Sequence, residues 1–314
     1  MTPDASLAAL SNTFFSVSVA LYSLAVVAFC AQLAFGRRPT RELVAAGAVP
    51  DRETPQPAAE NEQGRRWGVA ALALTALGAG THAAVLVTRG LATERLPWGN
   101  MYEFATATVL VAVVAYVVLA VRSPGLRHIG LFVLAPVVLS LVLIGLFLYA
   151  EAGPLVAALR SSWLAVHVST AILGFGIFFV SGIASGLYLL RSRYESRAGD
   201  GGTGILARLP DAAALDRVAH RTAVFGFPIW TFAVIAGAIW AESAWGRFWG
   251  WDPKETWAFI AWVVYAAYLH ARTTAGWRGR PAAWVNVVGL VVMIFNLLYV
   301  NMVSTGLHSY GGVN

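Results

Sequence analysis

The sequence predicts an all-α, polytopic integral membrane protein with about eight transmembrane helices. Hydrophobic residues make up 58% of the 314 residues, and the mean hydropathy is +0.66. Charged residues make up only 12%. A water-soluble domain of this length does not contain so large an apolar fraction. Stretches without Asp, Glu, Lys or Arg that are long enough to cross a bilayer, about 20 residues, recur along the chain.

These uncharged stretches place eight spans. They lie at 12–35, 67–88, 103–121, 129–149, 163–190, 222–241, 254–272 and 283–303. The first has no basic residue before it and an arginine cluster (Arg37, Arg38, Arg41) after it, which is the reverse of a secretory signal peptide, so we expect it to remain as a helix. The seventh is marginal in length, and we expect Lys254 and Arg272 at its ends to extend outward to the two interfaces.

The basic residues predict the orientation of the chain. The segments after spans 1, 3, 5 and 7 contain 17 of the 22 Lys and Arg residues. By the positive-inside rule these segments are cytoplasmic, so both termini lie outside. We therefore predict a single membrane domain over 1–314, cytoplasmic linkers at 37–66 and 191–221, and an external loop at 243–253. The pI of about 9.8 then reflects membrane orientation and not nucleic-acid binding.

The external loop leads into an unusual stretch, WGRFWGWDPKETW at 245–257. Asp252 is placed to cap the next helix, Pro253 suits the first helical position, and Glu255 completes a capping box. These three residues explain the acidic turn without any function. The four tryptophans of the stretch need another explanation; they are Trp245, Trp249, Trp251 and Trp257.

Two interpretations of these tryptophans stay open at this point. One is an aromatic belt at the membrane interface. A belt is spread over many helix ends, however, whereas these residues crowd into one loop with Gly246 and Gly250. The other is a flat apolar surface for a planar aromatic ligand. Small residues on the face of the helix that carries His167 favour this second interpretation; they are Thr170, Ala171 and Gly174.

The predicted topology sorts the histidines by depth. His167 lies a few residues into span 5 and His308 follows span 8, so we expect both to share the outer face with the tryptophan loop. His270 lies near the inner end of span 7 and His82 nearer the outer side, a difference in depth of roughly 15 Å that argues against one small ligand between them. Imidazole is a common axial ligand of haem iron. A lone histidine in a membrane helix is more often a hydrogen-bonded packing residue, but it is also a functional candidate.

Several activities lack support in the sequence. The single cysteine, Cys30, cannot cycle between a dithiol and a disulfide. The sequence contains no phosphate-binding loop, GxSxG elbow or HExxH motif. Acidic residues are absent from the centres of the predicted spans, which disfavours a proton-coupled transporter built on carboxylates.

Long motifs in a fixed order resemble one family. The stretch WGRFWGWDPKETWAFIAWVVYAAYLHAR, followed by STGLHSY, resembles the CcsA/ResC branch of the haem-handling proteins of cytochrome c biogenesis, system II, which is marked by a tryptophan-rich WWD segment. RLPWGNMYEF at 95–104 and HRTAVFGFPIWTFAVIAGAIWA are similar to further segments of the family. By itself, NMYE is also typical of a helix start, with Asn100 as cap and Glu103 three residues later.

The resemblance implies a haem-handling subunit of a holocytochrome c synthase in the bacterial cytoplasmic membrane. His167 and His308 would be the axial ligands of an external haem b, and His270 a membrane-embedded haem ligand. His220 stands where the family has a tyrosine and receives no role. The WWD residues that would contact the haem are Trp245, Trp249, Trp251, Asp252 and Trp257.

The resemblance also implies partners and a division of labour. A ResB-type membrane protein would supply the mate of His270, apocytochrome c would be the client, and a ResA/CcsX-type thioredoxin would keep the client thiols reduced. None of the residues is an evident acid, base or nucleophile, so the chain would contribute positioning and iron ligation.

Two other functions remain as alternatives. A haem exporter would move haem across the membrane without taking part in attachment. A diheme electron carrier would hold ligand pairs on facing helices at matched depth, which His82 and His270 do not provide.

Overall fold

The computed structural model describes residues 3–36, 61–154, 159–198, 204–304 and 306–308. Within these ranges the backbone forms eight long α-helices and no strand, which confirms the all-α prediction. In chain order they are α1 (Ala5–Phe35), α2 (Glu62–Thr93), α3 (Met101–Arg122), α4 (Gly130–Leu143), α5 (Ser162–Ala198), α6 (Ala212–Trp245), α7 (Pro253–Thr273) and α8 (Arg280–Met302). A π-helical turn, Ile144–Leu148, continues α4, and short 3₁₀ helices occupy Pro124–Ile129 and Ile205–Arg208.

Each predicted span coincides with one of these helices, and seven of the helices are long and apolar enough to cross a membrane. The exception is α7, the span predicted to be marginal, because charged residues at both of its ends shorten its apolar stretch. Helix α6 begins at Ala212, well before the start of its uncharged core at 222. A polytopic helical membrane protein is thus confirmed, while the outward position of the termini stays a prediction.

Consecutive helices pack as antiparallel pairs. In the pair α1–α2, the Ser11 hydroxyl donates to the Val85 carbonyl at 3.0 Å, and Gln32 lies against Gly68 at the opposite end. In the pair α5–α6, the Ser181 hydroxyl donates to the Ala219 carbonyl at 2.7 Å. Small residues at these contacts let the helix backbones approach closely, as is usual where lipid removes the hydrophobic drive for association.

The two charged ends of α7 do not extend outward as the sequence analysis expected. The Lys254 ammonium donates to the backbone carbonyl of Asn296 on α8 at 3.1 Å. Arg272 donates to both carboxylate oxygens of Asp216 on α6, at 2.6 and 2.8 Å. The expectation was wrong because each cation has an acceptor on a neighbouring helix, and such a partner offsets the loss of hydration that would otherwise drive the side chain outward.

A buried cluster of charges fixes the start of α3. Glu103, fully buried, accepts from Arg89 at 2.8 Å and from Arg95 at 2.8 Å, and its carboxylate also receives the Gly99 amide. Asn100 caps the helix through the Glu103 amide, as predicted. The Glu103 side chain therefore binds two arginines and the residue before the cap, and it holds the segment between α2 and α3 against the bundle.

The helix pairs bring distant parts of the chain to one end of the bundle. The first turns of α3, α5 and α7 meet the last turns of α6 and α8 there. The loop between α6 and α7, residues 246–252, contains the centre of the WWD segment and is called the WWD loop. This loop lies at the same end of the bundle as His167 and His308.

Candidate functional site

A cavity of about 730 Å³, including its mouth, lies at this end of the bundle. Most of its wall is aromatic and apolar; the rings that line it are Phe104, Phe175, Trp230, Trp240, Trp245 and Trp249. Two imidazoles, one ammonium and one carboxylate are its ionisable groups; they belong to His167, His308, Lys254 and Glu255.

Both imidazoles are oriented by a hydrogen bond at the same ring nitrogen. Nδ1 of His167 lies 2.8 Å from the carbonyl oxygen of Ala233 on α6. Nδ1 of His308 lies 2.7 Å from Oδ1 of Asp252 in the WWD segment. A carbonyl and a carboxylate only accept, so each Nδ1 carries the proton and Nε2 is the nitrogen that a metal would take. This orientation by an outer acceptor is the usual arrangement of metal-binding histidines.

The Trp240 ring contacts both histidines of the cavity. Its ring stacks on the His167 imidazole with centroids 5.8 Å apart and an interplanar angle of 9°. The His308 imidazole meets the same indole edge to face at 5.6 Å, and it meets Trp245 at 4.9 Å. Trp240 is 1% exposed, so it is a fixed element of the site. The two histidines, 141 positions apart in the sequence, therefore share one aromatic neighbour.

Asp252 fastens the C-terminal segment to the WWD loop. Besides His308, its carboxylate accepts the Leu307 amide at 2.7 Å and the Lys254 amide at 3.0 Å. A Cβ at Gly306 would lie 2.5 Å from Oδ2, so a glycine is needed for this close approach. Burial raises the pKa of the Asp252 carboxyl, but the hydrogen bond and charge of His308 and the two amides outweigh burial and leave the pKa below its ordinary value. The carboxylate thus stays ionised and orients His308.

Glu255 holds the WWD loop in place. Its carboxylate accepts from Arg247 at 3.0 Å, from the Gly250 amide at 2.9 Å and from the Asp252 amide at 3.1 Å. The last bond completes the predicted capping box with Asp252, which is confirmed. Three segments of the loop are therefore tied to one side chain at the start of α7.

The predicted tryptophans divide between the cavity and its surroundings. Trp245 and Trp249 line the cavity. Trp251 has a φ of 59°, a conformation that a bulky residue rarely adopts, and its side chain is 66% exposed beside Trp249, with ring centroids 5.8 Å apart. Trp257 instead packs on Phe295 of α8 at 4.3 Å and does not line the cavity.

The remaining predicted features lie elsewhere. His270 is exposed near the far end of α7, roughly 25 Å along the helix from Asp252. Gly174, predicted to give room to a ligand, lies against Trp230 and serves the packing of α5 on α6, whereas its neighbour Ala171 does line the cavity. His82 is fully buried between α1 and α2, where its Nδ1 lies 3.2 Å from the Tyr22 hydroxyl.

Gly237 on α6 leaves the space that the His167 ring occupies. A Cβ at this position would lie 2.7 Å from Cε1 and 2.8 Å from Nδ1 of His167. We therefore expect Gly237→Ala to displace the imidazole and to break its bond to Ala233. Affinity for the haem that the resemblance implies should then fall by about tenfold, because one well-placed hydrogen bond and the ligand orientation it sets are lost. The helix itself should be retained, since alanine is the better helix former.

The matched control for this substitution is Gly186→Ala on α5. Its Cβ would meet nothing within 4 Å, so we expect unchanged affinity. Equal affinities of the two variants, measured by spectrophotometric titration of the purified proteins, would contradict the role given to Gly237.

The fold and the cavity define a polytopic α-helical membrane protein with a paired-histidine, indole-lined pocket at one end of its bundle. The chain belongs to the cytochrome c assembly protein family, whose model matches residues 98–308. The matched part runs from Trp98 to His308 and includes the WWD segment, His167 and His270. Together with the relatives described next, this match confirms the resemblance to the CcsA proteins of cytochrome c biogenesis.

Relatives in sequence agree with this assignment, and one solved structure has a similar fold. The chain is 37% identical over 253 residues to the cytochrome c biogenesis protein CcsA of Guillardia theta, a match that covers 73% of this chain and 81% of the relative. It is 44% identical over 180 residues to CcsA of Synechococcus sp. (strain RCC307), covering 51% of this chain and 58% of that relative. The structure of the cytochrome c heme lyase CcmF is similar in fold, with a TM-score of 0.62 and 17% identity over 93% of this chain and 46% of that one.

Proposed function

We propose that this chain is the haem-handling subunit of a system II cytochrome c synthase. In this proposal it binds haem b in the cavity, with His167 and His308 as the axial ligands, and presents it to apocytochrome c. The observation that carries the proposal is that two imidazoles from remote segments, each held through Nδ1, line one indole-lined cavity.

The residues present fit a haem better than a small polar ligand. The cavity wall offers aromatic faces for a macrocycle, and paired imidazoles are a common ligand set for haem iron. Among the described residues, no group of three or more His, Cys, Asp or Glu side chains could hold a bare metal ion. A histidine pair with flat apolar walls suits a metal whose remaining ligands belong to a porphyrin.

The chemistry of attachment follows from position. Each thiol of a client CxxCH motif adds across one haem vinyl group, its hydrogen going to the vinyl carbon that does not receive the sulfur, so nothing is lost in forming the thioether. The haem supplies the reactive vinyl groups when bound. This chain holds the macrocycle in one orientation and keeps its iron ligated until the client histidine replaces one imidazole, which is a proximity effect.

His270 has a separate role in this proposal. It is exposed near the far end of α7 and is remote from the cavity. We propose that it ligates haem on the way from the cytoplasmic side, with a second ligand from a ResB-type partner that packs against this surface. A ResA/CcsX-type thioredoxin would supply reduced client thiols, and the cavity would face the outside of a bacterial cytoplasmic membrane.

The alternatives differ in what they require of the site. A diheme electron carrier needs a second internal ligand pair, and His82 is buried against Tyr22 in the α1–α2 contact instead of facing His270. A haem exporter would release haem when no apocytochrome is present. The proposed synthase subunit would retain its haem under that condition.

The proposal is tested by haem titration of the purified chain with its partner. We expect the wild-type protein to give a low-spin, bis-histidine absorption spectrum. We expect Trp249→Ala to weaken haem binding by roughly tenfold, because it removes an aromatic face from the cavity wall.

Trp257→Ala is the matched control for Trp249→Ala. It should lower thermal stability through lost packing on Phe295 and leave haem affinity unchanged. Equal effects of the two substitutions on affinity would favour an interfacial aromatic belt. A wild-type protein that lacks the bis-histidine spectrum would refute the proposed function.

A further inference from the structure

The cavity is lined by one basic side chain, Lys254, that has no part in the proposed ligation of iron. Lys254 stands in the first turn of α7, and its side chain lines the cavity together with His167 and His308. Its ammonium donates to the Asn296 carbonyl on α8 at 3.1 Å. An ammonium has three donors, and a neutral carbonyl uses only one. The lysine therefore brings unused hydrogen-bond donors into a largely apolar space, and an anionic group of a ligand would favour its charged form.

The carboxylates nearest to Lys254 are engaged with other groups. Asp252 binds His308 and the amides of Leu307 and Lys254. Glu255 binds Arg247 and two loop amides. In the part of the chain that the structure describes, no carboxylate oxygen lies within 4.0 Å of the Lys254 ammonium. Asp252 attracts it only at longer range.

A second polar group marks the same corner of the cavity. Asn296 also lines the cavity, and its side chain is 4% exposed. Its Oδ1 is buried, and no described residue donates to it. A buried acceptor without a partner is unusual in a folded protein and indicates a missing polar neighbour, such as a water or a ligand group. Lys254 and Asn296 together form a polar corner with unmet hydrogen-bonding capacity.

We propose that Lys254 binds a carboxylate of the ligand, which for haem is a propionate. This inference rests on the proposed function and extends it. Porphyrin propionates and vinyl groups lie on different edges of haem, so a propionate held at Lys254 fixes the rotation of the macrocycle in its plane. The vinyl groups are thereby directed away from the α7–α8 corner. Lys254 is a positioning residue that selects the edge offered to the client.

The test compares two ligands that differ only in the group that Lys254 would recognise. Haem and haem dimethyl ester, whose propionates are neutral, are titrated into the full chain in detergent, and affinity is read from the bis-histidine spectrum. We expect wild-type protein to prefer haem, and Lys254→Met to weaken haem binding by roughly tenfold or more while ester binding is unchanged, since a charge-assisted hydrogen bond is lost. The unchanged ester affinity shows that the variant is folded.

Arg66→Met is the control, because Arg66 is an exposed cation on α2 that is paired with Glu62 and does not line the cavity. It should keep the wild-type preference for haem. Lys254→Arg should retain part of that preference.

The two proposals can fail separately. A Lys254→Met variant with a bis-histidine spectrum and the wild-type ratio of affinities would overturn the lysine assignment alone. A wild-type protein that binds neither ligand through His167 and His308 would overturn the proposed function.

Discussion

Replacing both His167 and His308 by alanine should abolish the bis-histidine spectrum and lower haem affinity by at least about a hundredfold, with cytochrome c yield falling in parallel. Each single variant should retain one axial ligand and give a high-spin spectrum. The reason is geometric: both imidazoles line the same cavity, and each contacts the Trp240 ring. Added imidazole should restore part of the low-spin signal in the single variants, because the cavity that held the lost ring remains.

The control for these substitutions is His220→Ala. His220 lies on α6 about 30 Å along the helix from Trp240. The substitution His220→Ala should therefore leave the absorption spectrum and the cytochrome c yield unchanged. Persistence of a bis-histidine spectrum in the double variant would place the iron ligands elsewhere and would remove the basis for the proposed function.

The sequence predicted the helices well because their signal is local. A bilayer-length run without charge is a property of about 20 adjacent residues. Seven such runs, and the shorter run of the seventh predicted span, each lie in a helix. The capping box at the start of α7 is also local and was predicted residue by residue. The number of spans between them also predicted that His167, the WWD loop and His308 lie at the same end of the bundle. This prediction requires only the topology and no knowledge of side-chain contacts.

Side-chain contacts between distant segments were not predictable in this way. Asp252 has a full local explanation as a helix cap, so its bond to His308, 56 positions later, left no trace in the sequence pattern. The contacts of Trp240 with both imidazoles depend on the packing of α5 on α6 and on the position of the C-terminal segment, which no local pattern shows. Lys254 was expected to extend to the membrane interface because a charge is best hydrated there. In the structure its side chain instead donates to a specific acceptor on α8, the Asn296 carbonyl.

Asp252→Asn should separate the two roles of this residue. Asparagine is as good a helix cap as aspartate, so α7 should be retained, while the charge-assisted bond to His308 becomes a neutral one. We expect haem affinity to fall by about tenfold for Asp252→Asn and by up to a hundredfold for Asp252→Ala, which matches the usual effect of losing the outer partner of a metal-binding histidine. The reduction potential of the bound haem should also rise, because a carboxylate partner makes the imidazole a stronger donor to ferric iron.

A variant that damages only the fold would not shift this potential, and Asp211→Ala provides that comparison. Asp211 caps α6 by accepting the Ala214 amide at 2.6 Å, and it does not line the cavity. Its loss should lower the free energy of unfolding by about 1 kcal/mol, as for other caps, with affinity and potential unchanged. If Asp252→Asn behaved in the same way, the Asp252–His308 contact would serve only to anchor the C-terminal segment. A raised potential at unchanged stability would instead show that the WWD loop tunes the iron through His308.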